Sequence, residues 1–372
     1  MKIVHICLSG QYIDGWGYQE NLLPHYLQMA GTENIVVTSS NSFPAYVKSD
    51  TIKDIISKGR DYEYDGVRII RIPTYNPTPS LAFAPSLFRT IEDIGPDVIF
   101  HHDVVFTTLG SVRRYVRKHP AVLFVDNHAD ELNMSRHALW NLIYHKMANR
   151  AACRHIWPYV NYFYGVTPAR CAFLEKYYGI PSSKISLLPI GADIQKSDSI
   201  LSKDNLRVKY GFGLDDRIVV SGGKMGKDKG TDILISAVSS IGCKLVLFGS
   251  FSDIDTLNRA ENTENVTVFN WCDREKTLEL LKLADVACWP VHHTTLIEDA
   301  VSVQTPLLVR ETGNTRHLVK GNGMWTSVDT LCDDLSSFFT ADYSKFLHAA
   351  MLMKKEISYE TIARRVIEDA KR

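Results

Sequence analysis

Short runs rich in β-branched residues alternate with longer amphipathic runs along nearly the whole chain, and the alternation starts afresh near residue 215. The first series of strand-like runs is 2–8, 34–39, 67–72, 97–101, 121–126 and 162–167. The second is 217–223, 244–250, 266–271, 285–290 and 306–311. Stretches with helical spacing, such as TDILISAVSSI and DREKTLELLKLA, lie between them. Strands that alternate with helices form βαβ units, with parallel strands and helices covering the sheet. A polar segment, LLPIGADIQKSDSILSKDNLRVKYGFGLDD, separates the two series, and 372 residues exceed one ordinary core. The expectation is an α/β chain of two Rossmann-like αβα domains facing across a cleft, with ligands at the carboxyl ends of the strands.

Charge narrows the function. Lys+Arg and Asp+Glu number 42 each, so no net field draws the chain to nucleic acid, and none is expected as a partner. Seven cysteines are scattered without a C-x-x-C pair. They read as buried, reduced thiols of a cytoplasmic protein, not as a disulfide framework or a zinc site. The opening MKIVHICLSG reads as a first strand and is too short for a leader. No apolar stretch reaches the ~18 residues that suggest a membrane span.

One stretch carries unusual chemistry: GGKMGKDKG at 222–230, between the apolar run RIVVS and the helix-like TDILISAV. A strand end followed by a helix start offers free N–H groups and a favourable dipole to an anion. Glycines permit close approach, and lysines bring mobile charge. A Walker A loop is excluded, because Ser221 stands where its first glycine belongs and Asp228 follows Gly226-Lys227. A solvated loop is the plain alternative.

The second half in order, VVSGGKMGKDKGTDILISAV, KLVLFGSFSD, VTVFNWCDREKTLELLKLADVACWP and LIEDAVSVQTPLLVRETGNTRHLVKGNG, resembles the donor-binding domain of glycosyltransferase family 4. That family is retaining and has the GT-B architecture. The resemblance implies that Lys224, where the family has arginine, and Lys229 of Lys229-Gly230 grip the diphosphate of a sugar nucleotide, beside Gly223. It places Gly249 in the glycine loop after the next strand, and Trp271 and Cys272 where main-chain groups read the base. Glu298 matches the second glutamate of the family's pair, which accepts bonds from the ribose; a carboxylate suits two vicinal hydroxyls. The first glutamate is absent, since Pro290 stands there, and His292, His293 or Thr294 are left to face the sugar.

The first half resembles the family more loosely. Gly15 and Gly17, in the first strand-to-helix turn, fit the glycine pair beside the donor phosphates. As a dinucleotide fingerprint the turn fails, with Glu20 at the third glycine and no acid closing the second strand. Pro24 implies a late start or a kink in the helix that follows. His128, after AVLFVD, matches the histidine that touches the donor sugar; a surface-loop histidine is the plain alternative. A metal held by Asp126, His128 and Asp130 is a third possibility without supporting spacing. His101-His102-Asp103 either faces the acceptor or is a capping or solvated group. Thr167 reads as a helix N-cap. The basic stretches 111–120 and 135–157 read as solvated helix faces or as a patch resting on anionic lipid.

The resemblance therefore implies domains 1–195 (acceptor) and 196–356 (donor), with the closing helix 357–372 crossing back to the first. It implies a retaining, metal-independent glycosyltransferase without a cofactor, in which His128, Lys224 and Lys229 serve the reaction. The partners are a nucleotide-sugar donor and a glycan, glycoside or lipid-linked acceptor, at the inner face of the cell membrane. Two rivals stand beside it: a non-catalytic sugar-nucleotide-binding partner in polysaccharide assembly, motivated by Pro290, and a nicotinamide-dependent dehydrogenase.

Overall fold

A computed structural model describes residues 1–9, 12–45, 47–78, 81–135 and 137–372. Gly10 and Gln11 of the first turn and Arg136 of the second basic stretch lie outside the described residues. The chain divides into two compact units, Met1–Pro189 with Tyr359–Arg372, and Ile190–Ser358.

The first unit holds β1 (Lys2–Cys7), β2 (Glu33–Ser39), β3 (Asp61–Tyr64), β4 (Val67–Ile72), the pair β5 (Tyr75–Thr78) and β6 (Leu81–Phe83), β7 (Val98–His101), β8 (Val122–Asn127), β9 (Tyr162–Gly165) and β10 (Ile185–Leu187). Its main sheet has eight strands in the order β10-β9-β8-β7-β1-β2-β4-β3, parallel except for β3. Alternation along each strand splits the core in two. Val4, Ile6, Ile99, Leu123 and Val125 pack with the helices Leu87–Ile94, Phe106–Val116 and Arg150–Ile156. Ile3, Val98, Phe100 and Phe124 pack with Leu23, Tyr26 and Leu27 and with Tyr359, Ile362 and Val366 of the chain's last helix.

The second unit is a six-stranded parallel sheet of β11 (Ile218–Met225), β12 (Lys244–Phe251), β13 (Val266–Phe269), β14 (Val286–Trp289), β15 (Leu307–Val309) and β16 (Gly323–Trp325), ordered β13-β12-β11-β14-β15-β16. Ile218, Val220, Val246 and Ala287 line one core, and Val219, Leu245, Leu247, Val286 and Cys288 the other.

Several expectations need correction. The helix after β1 starts at Gln19, ahead of Pro24, which sits inside it; its cost there is the i−4 hydrogen bond that the carbonyl of Glu20 loses. Thr167 does cap its helix, accepting from the Arg170 N–H. Of the cysteines, Cys7, Cys153, Cys243 and Cys288 are buried, Cys171 and Cys272 partly so, and Cys332 is exposed; all are free thiols. Among the described residues, no helix is long and apolar enough to cross a membrane.

Candidate active site

In the second unit the carboxyl ends of β11 and β12 are walled by glycine. β11 continues through the GGK motif, so Gly222, Gly223 and Lys224 are strand residues opposite Phe248, Gly249 and Ser250. Gly222 and Gly249 stand where a side chain has no room. A Cβ on Gly222 would lie 2.5 Å from the Phe248 ring. On Gly249, at φ +121°, it would lie 2.2 Å from the Gly223 carbonyl oxygen. Gly223, at φ +102°, faces Leu296 and the Thr294 hydroxyl, which brings the start of the helix Leu296–Ser302 to this strand end.

The remaining GKDKG closes into one tight turn. The Gly226 carbonyl accepts from the N–H groups of Lys229 (3.0 Å) and Thr231 (3.2 Å), and its own N–H donates to the Thr231 hydroxyl. The helix Thr231–Ser240 thus begins with its first N–H already satisfied, which corrects the picture of a wholly open helix end. The lysines differ. Lys227 pairs with Asp255 at 3.2 Å and Lys229 with Asp228 at 3.3 Å. Lys224 is exposed and makes no ion pair among the described residues. It meets a ligand without giving up a partner, whereas Lys229 must leave Asp228 to do so.

Glu298 is 1% exposed. Its Oε1 lies 2.9 Å from His293 Nε2, while Oε2 is buried with no hydrogen-bond partner among the described residues. Burial favours the neutral acid, but His293, with His317 adding to it, outweighs this and holds the carboxyl below the ordinary glutamate range. A buried acceptor without a donor is rare, and a ligand hydroxyl would satisfy it. His293 therefore acts on Glu298, not on open space, and His317 is a neighbour that sequence reasoning missed. The adjacent Asp299 turns to Arg274 at 2.5 Å. Trp271 lies past the edge strand β13, separated from β11 by β12, with 78% of its surface exposed. Cys272, beside it, turns its thiol to the Asn270 carbonyl.

In the first unit the polar groups gather at the carboxyl ends of β1, β7 and β8. Asp126, wholly buried at the end of β8, is the hub. Its Oδ2 lies 3.0 Å from His102 Nδ1, 3.4 Å from His128 Nε2 and 3.4 Å from Gln19 Nε2, and its Oδ1 accepts from the Asp103 N–H at 2.6 Å. Gln19 opens the helix just after Gly15 and Gly17, so the glycine turn and His128 share one neighbour. Gly15 needs its glycine, since it adopts φ +79° with the Tyr64 hydroxyl 3.3 Å from a Cβ. Asp130 does not join the hub; it pairs with Arg170 at 3.3 Å and accepts from the Leu132 and Asn133 N–H groups. Among the described residues no group of side chains is arranged to hold a metal.

His101 and His102 depart most from expectation. Neither is solvated nor turned to an open surface; both are 1% exposed. His101 bonds the Asp103 carbonyl and Thr108, and His102 lies between Asp126 and His5. Burial pulls His101 down to about 4 and His5 down to about 3. Burial also opposes a charged His128, but Asp126, Asp103 and Glu20 outweigh it and push the ring up to about 9. The signal for His5 and His102 was present: a histidine inside the apolar runs KIVHIC and VIFHH must find a buried partner.

Residues 23–196 match the family described as Glycosyltransferase Family 4. The match falls on the first half, whereas the motifs that suggested the family lie in the second. None of the curated proteins matches the chain. Among solved structures it is similar to HepE of Anabaena in complex with UDP (15% identity, TM-score 0.72, covering 100% of both chains). It is also similar to a glycosyltransferase of Rickettsia africae (14%, 0.70, covering 100% of this chain and 97% of that one). A third is the sucrose-phosphate synthase of Thermosynechococcus elongatus (16%, 0.70, covering 99% and 98%). At such identities the likeness is one of fold. Residues 23–196 are thus similar to glycosyltransferase family 4, and the two Rossmann-like units are those of the GT-B fold.

Proposed function

We propose that the chain is a retaining glycosyltransferase that moves a hexose or related sugar from a nucleoside diphosphate to a hydroxyl of a glycan, glycoside or lipid-linked acceptor. The observation that carries this is the unpartnered Oε2 of buried Glu298, near a glycine-walled strand end that presents Lys224. Glu298 takes the ribose hydroxyls. Lys224 and Lys229 meet the diphosphate, where charge grows as the bond to the sugar breaks. In this reading their two charges take the part a metal would otherwise play. His128 holds the sugar. The acceptor oxygen bonds the anomeric carbon on the face the diphosphate leaves, and a phosphate oxygen takes its proton. HepE, similar in fold, has been solved with UDP, with UDP-glucose, and with UDP and glucose.

The face of the helical segment 138–154 supports a place at the inner surface of a membrane. Leu139, Leu142, Ile143 and Met147 are exposed beside Lys146, Arg150 and Arg154, and 135–157 holds no acidic residue. The other basic stretch is used internally: Arg114 and Lys118 lie over the Phe88 ring, and Arg113 donates to the His155 carbonyl.

Thermal shifts with UDP, GDP, ADP and NAD test the donor site. A nucleoside diphosphate at about 100 times its dissociation constant stabilises the native state by about 2.7 kcal/mol. The shift is expected with one diphosphate and is lost in Lys229→Ala and Glu298→Gln. A shift with NAD alone, or one that survives both substitutions, sinks the assignment. Donor binding without transfer to any acceptor offered favours the non-catalytic partner, for which Pro290, packed against Gly230 in place of an acid, is the motive.

A further inference from the structure

The carboxyl ends of β14 and β15 lie side by side in the second unit, and one basic side chain there has no acid to neutralise it. The two strands pair in parallel with Trp289 opposite Val309, and the Arg310 N–H donates to the Trp289 carbonyl at 3.1 Å. Arg310 therefore stands beside Pro290. The lysine turn packs on the same place: a Cβ on Gly230 would lie 3.1 Å from Val291 Cγ2 and 3.6 Å from Pro290 Cγ. Pro290 thus touches the Lys229-Gly230 turn and neighbours Arg310. His292, two residues on, responds to both. Its ring is held below the ordinary histidine range, by burial first and then by the positive charges of Lys229 and Arg310, with Asp228 opposing.

Charge is unbalanced here. The acids of the surrounding segments are each paired: Asp228 with Lys229, Glu311 with Arg316, Glu298 with His293 and Asp299 with Arg274. Arg310 is exposed, and its guanidinium makes no ion pair or hydrogen bond among the described residues. Its main chain, by contrast, is tied on both sides, the N–H to Trp289 and the carbonyl to the Thr315 hydroxyl at 2.6 Å. A fixed base that carries a free planar fork suits a carboxylate or a phosphate, which it meets with two parallel bonds. An exposed arginine alone is ordinary. This one stands at a strand carboxyl end of an open α/β sheet, where ligands bind, beside the position from which an acid is missing.

Strand register gives the span. Val220 is level with Ala287, and Ala287 with Leu307, so counting on along the strands brings Gly223, Pro290 and Arg310 level. Neighbouring strands are about 4.8 Å apart, and β14 lies between β11 and β15. Lys224 and Arg310 therefore start from strand ends about 10 Å apart. One diphosphate, whose two phosphorus atoms share an oxygen, does not fill that span; the sugar that follows it does. Residues 290–295 face the sugar in the glycosyltransferase reading, on which this inference rests. An acid at position 290 would accept from neutral sugar hydroxyls and repel a carboxylate. Pro290 does neither, and Arg310 reverses the sign of the charge beside it. We propose that Arg310 is a specificity-determining residue and that the donor is the nucleoside diphosphate of a uronic acid, a hexose whose C6 is a carboxylate, with the Arg310 fork on that carboxylate. His292 is left to meet a ring hydroxyl, as donor or acceptor.

Calorimetric binding of matched ligands to the full chain tests this without an acceptor. The probes are UDP and GDP, the neutral UDP-glucose, UDP-galactose and GDP-mannose, and the corresponding UDP-glucuronate, UDP-galacturonate and GDP-mannuronate. At least one uronate is expected to bind about 10–100-fold more tightly than its neutral match. That comparison uses the unsubstituted chain, so nothing in it depends on a variant folding. Arg310→Gln should erase the difference and leave the affinity for the free nucleoside diphosphate unchanged. Lys224→Gln should weaken the free diphosphate and both sugar nucleotides alike. A nucleoside diphosphate that binds while no uronate gains over its neutral match overturns the inference and leaves the glycosyltransferase reading standing. An Arg310→Gln chain that loses the free diphosphate as much as the uronate also overturns it, and makes Arg310 a phosphate ligand. Binding of no nucleotide at all removes the reading and the inference with it.

Discussion

At the scale of single residues, Gly249 shows how much of the donor site depends on absent atoms. Two penalties meet there: a φ of +121° that side chains rarely adopt, and a Cβ position 2.2 Å from a main-chain oxygen of the neighbouring strand. The first alone costs about 1–3 kcal/mol. The second cannot be relieved by a side-chain rotation, because Gly223 belongs to β11 and is held in register with Gly249 itself. Gly242 separates the two effects. It lies in the same unit at φ +68°, with nothing within 4 Å of a Cβ, so alanine there meets the strain alone. Urea unfolding should rank Gly249→Ala as clearly more destabilised than Gly242→Ala, and only Gly249→Ala should also lose the nucleoside-diphosphate thermal shift. Equal midpoints would mean that the strand ends can part, and the glycine wall would then have no role in admitting a ligand.

At the scale of elements, the helical segment 138–154 divides its two faces cleanly. Tyr144, His145, Asn149 and Cys153 turn inward, with His145 bonded to the Tyr178 hydroxyl at 2.9 Å. Leu142, Ile143 and Met147 turn outward beside Lys146, Arg150 and Arg154. Each basic residue near an anionic bilayer contributes about 1 kcal/mol, and the apolar side chains add by burial in the interface. The chain should therefore sediment with vesicles containing phosphatidylglycerol and much less with neutral phosphatidylcholine vesicles, with binding weakened by salt. Leu142→Glu with Ile143→Glu should abolish it while the fold persists, since neither side chain is in the core. Binding unaffected by lipid charge would remove the membrane from the proposed function. Elements of this kind were legible in the sequence where one face repeats: every strand of the two βαβ series was visible as an apolar run, and β4 at 67–72 to the residue. Missing were β3, β5, β6, β10 and β16, which are three or four residues long and mostly half-exposed. The site divides in the same way. Lys224, Gly249 and Glu298 with its near neighbour His293 stand in local motifs, whereas the meeting of His5, His102 and Asp126 is set by strand order. Residues 5, 102 and 126 meet only because β1, β7 and β8 are neighbours in the sheet.

At the scale of the whole molecule, the first unit is interrupted and the second is continuous. Residues 190–358 complete their own sheet, and the two crossings of the chain lie side by side, with Ala192 bridged to Ser358 and its N–H bonded to the Ile357 carbonyl at 2.7 Å. The first unit, by contrast, stays open on one face until the helix Tyr359–Ala370 arrives. Tyr359 then stacks on Tyr26, Arg365 donates to the Leu187 carbonyl and the Ser186 hydroxyl, and Asp369 accepts from the Tyr164 hydroxyl at 2.8 Å. Burying Tyr359, Ile362 and Val366 is worth about 1.5–3 kcal/mol per large side chain, so the helix contributes an amount comparable to the 5–15 kcal/mol stability of an ordinary domain. Ending the chain at Ser358 should therefore unfold one unit and spare the other. Hydrogen exchange should show lost protection in β1, β7, β8 and the helix Gln19–Met29, with protection kept in β11, β12 and β14. The fragment 190–358 alone should unfold cooperatively and, if Glu298 and Lys224 form the nucleotide site, keep a thermal shift with the diphosphate that the full chain binds. Deprotection of both units after truncation would show that they do not fold independently. Deprotection of neither would show that the last helix only covers a face already stable without it.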